Sequence, residues 1–209
     1  MHEDLPPDHI IVSVIPQSKE GTALDGYTQC IIPNRTKKYI MTTPNFPAAV
    51  PPPSLGLAYK VTKLPGKGLG ILAMRDVQGG QLVLAERPLV ICPLVLPSQE
   101  YIKSMPDHFT IEDYLIAALQ GNERFMEVSF STMPAEKKPA FLALHSAHTA
   151  DGSGPIVGRL RTNTFGIHEL MENPEEVHDQ ERTFSGICEV GSRFNHRYVD
   201  LDFCATIAV

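Results

Sequence analysis

Residues Leu57–Ile91 read LAYKVTKLPGKGLGILAMRDVQGGQLVLAERPLVI, and the fold is decided here. Tyr59 and Val61 alternate with polar neighbours, as in a strand with one face buried. The turn Leu64-Pro65-Gly66-Lys67-Gly68-Leu69-Gly70 interrupts that signal, Ile71-Leu72-Ala73 restarts it, and after Gln78-Gly79-Gly80-Gln81 the run Leu82-Val83-Leu84 turns back. The pattern predicts a small antiparallel meander with strands near 57–62, 70–74 and 81–91. Gly66, Gly68 and Gly70 stand at alternate positions and leave backbone N–H and C=O groups unshielded, so a ligand can approach the main chain.

Two familiar glycine loops are excluded. A dinucleotide fingerprint needs a helix after the turn to aim its N-terminus at a pyrophosphate, and strand-forming residues follow instead. A Walker-type loop needs Gly-Lys-Ser/Thr, whereas Lys67 precedes Gly68. The chain has 209 residues, enough for one domain with flanking segments. A net charge of −6 argues against a broad nucleic-acid surface and is compatible with a basic peptide partner. Eighteen prolines and fifteen glycines favour many short elements. Cys30, Cys92, Cys188 and Cys204 form no C-x-x-C pair, which gives neither a zinc pattern nor a disulfide framework. The sequence begins with no basic-then-apolar signal, and no run approaches the roughly 20 apolar residues of a membrane span. An intracellular protein, nuclear or cytoplasmic, with no membrane partner is expected.

Residues 1–56 hold half of the prolines, including Pro51-Pro52-Pro53, and predict an extended arm lying against the domain. Thr110 and Asp113 have capping-box spacing before Tyr114, Leu115, Ala118 and Leu119, which recur at helical intervals. A second helix is expected over Glu123 to Phe130, and a third from Pro134 carrying Phe141, Leu142 and Leu144 to the core. Asp151-Gly152-Ser153-Gly154-Pro155 closes the helical block. His145, His148 and His168 lack the spacing of a metal motif, and no metal is expected. An acid-rich run from His168 to Arg182 then reads as a solvated loop or a short helix.

The wording G-K-G-L-G-I-L-A-M-R-D-V-x-x-G-x-L-V-L-A-E-R-P-L closely resembles the opening of SET domains, the β-rich fold of many protein-lysine methyltransferases. Arg161-Thr162-Asn163-x-Phe165 follows helices that resemble the variable insert of the long-insert SET proteins. Ser192, Asn195 and His196 match a family motif close to S-x-x-N-H-S-C-x-P-N. The resemblance covers 57–196, with a helical insert at about 100–160, and implies an α+β fold of short antiparallel strands. It implies S-adenosylmethionine as cofactor and a lysine-bearing protein or peptide as substrate, with no direct nucleic-acid contact. In the family the glycine loop cradles the methionine part of the cofactor, and the Asn-His pair meets its adenine end. The implied cofactor residues are Lys67, Gly68, Leu69, Gly70, Asn163, Asn195 and His196.

After His196 the resemblance stops. Residues 197–209 match neither the Ser-Cys-x-Pro-Asn continuation nor the later catalytic tyrosine and threaded strands that build the family's lysine channel. A C-terminally incomplete, inactive methyltransferase chain is therefore expected, with no catalytic residue assigned; a non-catalytic SET-like interaction module is the alternative. Apolar surface around Ile71, Leu84 and Phe194 is expected to be under-covered, and residues 183–209 weakly held. Arg197-Tyr198-Val199 can be encoded AGG-TAT-GTN, which contains an intron donor, and splicing there would leave the first two bases of a serine codon. The tail is accordingly expected to be translated from an unspliced intron.

Overall fold

The computed structural model describes residues 5–16, 26–53, 55–94, 96, 106, 108–168, 170, 183–194 and 206–207. Its centre is a five-stranded sheet in the order β1-β2-β6-β8-β7, built from β1 (Ile10–Ile15), β2 (Thr28–Pro33), β6 (Val90–Pro93), β8 (Phe184–Ile187) and β7 (Phe165–Ile167). β1 and β2 pair antiparallel from Ile10 opposite Pro33 to Ile15 opposite Thr28. β2 meets β6 in parallel, with Cys30 opposite Ile91, and β8 is antiparallel to both β6 and β7.

Strand side chains alternate between two faces, and each face has its own core. Ile31, Val90, Cys92 and Ile187 face a helical layer that supplies Met126, Phe141, Val157 and Leu160. Ile11, Cys30, Ile32, Ile91 and Phe184 pack on the other side with Ile40 of α1 (Asn34–Thr42). The expected N-terminal arm therefore supplies two strands and a helix to the core. Its apolar runs are short, but each β2 residue is buried because both faces of the strand are covered.

The glycine-rich stretch forms the hairpin β3 (Tyr59–Leu64) and β4 (Gly68–Ala73), in register from Tyr59 opposite Ala73 to Leu64 opposite Gly68. The expected third strand of a meander over 81–91 does not join it. Only Ala85–Glu86 (β5) is extended before Pro88, and it pairs in parallel with β9 (Thr206–Ile207); the chain then enters the main sheet at Val90. Pro88 removes a ladder donor between the two short strands. Ile71, Leu84 and Phe194 are half-buried, and Leu69, Leu72 and Met74 on the hairpin are exposed. Within the stretch expected to be weakly held, β8 lies between β6 and β7 with its four residues buried, while 195–205 and 208–209 lie outside the described residues.

One helix, α2 (Ile111–Thr132), replaces the two expected. The Thr110–Asp113 capping box opens it, with Asp113 N–H donating to Thr110 Oγ1 and Thr110 N–H to Asp113 Oδ2. Gly121 lies buried within it, and Glu123, Met126 and Ser129, three residues apart, form a buried stripe on another side. Of the predicted stripe, Leu119 packs against the core and Tyr114 and Ala118 are half-buried, whereas Leu115 is 61% exposed. Gln29 Nε2 donates to Ser129 Oγ and Thr132 Oγ1, tying β2 to the end of α2. α3 (Lys138–Leu142) begins later than Pro134 and carries Pro139 in its first turn; Phe141 and Leu144 are buried, whereas Leu142 is exposed. α4 (Pro155–Asn163) packs against α2 and β8. No helix among the described residues is long and apolar enough to cross a membrane.

Candidate functional site

Three stretches far apart in the chain enclose a cleft of about 950 Å³, within the ~300–1,000 Å³ typical of small-molecule sites. The first wall is the hairpin turn Gly66-Lys67-Gly68-Leu69. Lys67 N–H donates to Leu64 O at 3.1 Å, and Gly66 and Gly68 both have φ of +70°, the left-handed region that side chains resist. A Cβ built on either glycine would meet nothing within 4 Å, so their need is conformational and the turn's backbone stays open to the cleft.

The second wall is α4 with the loop before it. α4 starts without a capping side chain of its own; Glu123 of α2 serves instead. Its carboxylate accepts from Ile156 N–H at 2.9 Å and Val157 N–H at 2.7 Å, satisfying donors that a helix start leaves unpaired. Gly154 makes room for that carboxylate: a Cβ there would lie 2.7 Å from Glu123 Oε1. At the other end of α4, Asn163 is buried and lines the cleft. Its Nδ2 donates to Arg159 O at 2.8 Å and to His145 O at 2.7 Å, so the amide binds the helix end to the neighbouring loop. Arg159 likewise staples that loop through Nε to Leu142 O and Leu144 O.

The third wall is Ser192-Arg193-Phe194, in and just after the 3₁₀ turn Gly191–Arg193. Ser192 Oγ accepts from Cys188 N–H at 3.1 Å and donates to Asn163 O at 3.0 Å, joining the third wall to the second. β4 rests against the same turn, which closes the ring of walls.

Lys67, Arg159 and Arg193 bring positive charge to this cleft, and none of its described lining residues is a carboxylate. At the rim, His148 Nδ1 lies 2.7 Å from Asp151 Oδ2, and Arg161 Nη1 reaches the same oxygen at 2.5 Å. The Ser153 backbone N–H, with His148, Ser153 and Arg161 side chains, holds Asp151 well below the usual carboxylate range. Behind the third wall, burial pushes the Glu86 carboxyl above its ordinary value, against the opposing pull of the Gly191 and Val190 backbone N–H groups.

Of the residues singled out from sequence, Lys67, Gly68, Leu69 and Asn163 line the cleft. Gly70 does not: it is buried in β4 opposite Thr62, because the turn ends two residues earlier and the third glycine belongs to the strand. Asn195 and His196 lie outside the described residues, immediately after Phe194 of the third wall. His145 and His148 share the cleft, though from a loop rather than a helical face. No group of three or more His, Cys, Asp or Glu among the described residues is placed to hold a metal ion. Sequence reasoning missed Glu86, Glu123 and Arg159. The two glutamates had a signal, an acid on an otherwise apolar strand or helix face, but their partners lie too far along the chain to be read locally.

The fold and cleft define an α+β domain with a site of small-molecule size, and comparison with known proteins finds a distant similarity to a histone-lysine methyltransferase. Over 138 residues the chain is 29% identical to the histone-lysine N-methyltransferase set5 of Schizosaccharomyces pombe, a match taking in 66% of this chain and 30% of that protein. No protein-family profile matches the chain, and no solved structure matches it.

Proposed function

We propose that the cleft is the S-adenosylmethionine site of a SET-type protein-lysine methyltransferase fold. The observation that carries this reading is the convergence of Gly66–Leu69, Asn163 and Ser192–Phe194 on one cleft, since these stretches bear the family wording and the first and last of them lie more than a hundred residues apart in sequence. The residues present fit the group. The open glycine backbone offers polar atoms without steric cover, Lys67 and Arg193 suit a carboxylate, and Leu69 and Phe194 suit the uncharged parts of the ligand.

When bound, the cofactor supplies an electrophilic methyl group on a sulfonium. The chain's own contribution on this reading is orientation: the three walls, cross-linked through Ser192 and Asn163, hold the ligand in one pose, and alignment carries much of an in-line transfer. The acceptor is a lysine side chain of an intracellular protein or peptide, and its amine must shed a proton before it can attack. No described residue is assigned the role of base.

Titration calorimetry with S-adenosylmethionine and S-adenosylhomocysteine tests the reading. Saturable binding at one site per chain is expected, with Gly68→Ala and Asn163→Ala each weakening it by about tenfold, or ~1.4 kcal/mol. Absence of binding, or binding indifferent to both substitutions, would refute it. Incubation with labelled cofactor and histones reports separately on transfer.

A further inference from the structure

The third wall is a short element, bonded through Ser192 to Cys188 and Asn163. Its 3₁₀ turn is three residues long, and such turns have poor internal hydrogen-bond geometry. Glu86, which does not line the cleft, holds the backbone where the turn begins. Gly191 N–H donates to Glu86 Oε1 at 2.6 Å, and Val190 N–H lies 3.1 Å from both carboxylate oxygens. These are the amides at which the turn begins. Gly191 permits the approach, since a Cβ there would sit 3.1 Å from Glu86 Oε1 and 3.2 Å from Cys188 Cβ.

We infer that Glu86 is a positioning residue: without lining the cleft, its carboxylate fixes the backbone at Val190–Gly191 and so sets where Ser192, Arg193 and Phe194 face the ligand. The chain of contacts is continuous. From Glu86 it passes to the Gly191 amide, then through the adjoining Ser192 hydroxyl to Asn163 O, and through the Asn163 amide to His145 O. One carboxylate behind the wall thereby registers the third wall against the second. Burying an acid for this purpose is costly unless hydrogen bonds compensate, and backbone amides provide them. A residue serving stability alone would be expected to weaken the whole domain when changed; a positioning residue loosens one wall.

The test compares the full chain with its Glu86→Gln variant, in which an amide NH₂ replaces one acceptor facing backbone donors. Hydrogen exchange, which needs no ligand, is read at the amides of Val190 and Gly191. Both should be protected in the unmodified chain and should exchange about tenfold faster or more in E86Q, while Phe184–Ile187 keeps its protection and the thermal transition stays cooperative. Affinity for S-adenosylhomocysteine should fall by about tenfold in E86Q; this arm rests on the proposed cofactor reading. Should the unmodified chain bind no cofactor, that reading fails, and the exchange arm still decides the role of Glu86. Rapid exchange at Val190 and Gly191 in the unmodified chain would overturn the inference. So would unchanged exchange in E86Q, or an E86Q chain that does not fold, since Glu86 would then support the whole domain rather than one wall.

Discussion

Replacing Gly154 by alanine should cost far more than its backbone conformation implies. Gly154 has φ of −77° and ψ of 178°, a region open to alanine, where the exchange alone would stabilise by ~0.4–1 kcal/mol through the unfolded chain. The obstacle is space. The new Cβ would lie 2.7 Å from Glu123 Oε1 and closer still to the Glu123 Cγ and Cδ atoms. Glu123 cannot swing aside without releasing Ile156 N–H and Val157 N–H. Hydrogen bonds to a charged group contribute ~1.5–3 kcal/mol each, and with partial relaxation and non-additivity a net loss of ~2–4 kcal/mol is expected. Urea unfolding followed by far-UV circular dichroism measures it. Glu123→Ala should show a comparable loss, and G154A should cost much less in the E123A background, giving a coupling of ~1–3 kcal/mol. A neutral or stabilising G154A, or effects that add within ~0.5 kcal/mol, would refute the reasoning.

Thr110→Ala should remove the cap of α2 and cost ~1 kcal/mol in the same assay. Phe141→Ala should cost ~3–5 kcal/mol and Leu115→Ala no more than ~0.5 kcal/mol, because Phe141 is fully buried and Leu115 is 61% exposed. Glu86 binds its proton more tightly in the folded chain than its ordinary value of 4.5, so its contribution to stability should fall as pH rises from that value through the raised one and level off above it. The stability difference between the unmodified chain and E86Q across a pH series should show that slope; an opposite slope would contradict it. Burial pushes the Cys30 and Cys92 thiols up to about 12, so both should resist alkylation at neutral pH until the chain unfolds, as mass spectrometry of labelled peptides would show.

What was readable from sequence was mostly local. The Gly66–Gly68 turn and the Thr110–Asp113 cap each depend on residues within a few positions of one another, and each is found where their chemistry places it; the expected end of the helical block at Asp151–Pro155 is not, since Pro155 opens α4. The central sheet was not legible, because pairing Cys30 with Ile91, or Ile91 with Gly186, leaves no periodic trace in either strand. Two helices were expected over 110–130; burial of Gly121, Glu123, Met126 and Ser129 carries one helix through the stretch despite the weak propensity of glycine. Within the site, family wording pointed to Lys67, Gly68, Leu69 and Asn163, all on the cleft. It did not reveal that Asn163 spends its amide on the wall, nor that acids on distant elements cap α4 and the 3₁₀ turn.

The strand order β1-β2-β6-β8-β7 also sets a timetable for the molecule's assembly. The β1–β2 and β3–β4 hairpins can close early, since their partners are near in sequence. β6 has to find β2 across roughly sixty residues, and β8 has to enter between β6 and β7 after nearly a hundred more. Such distant pairings slow folding because loop entropy is lost before the contacts that offset it form. During synthesis the sheet stays open on one side until Phe184–Ile187 has left the ribosome, and the third wall, directly beyond β8, is the last of the three to arrive. Any condition that delays β8 would therefore yield a chain with its hairpins and helices formed and its cleft still unmade.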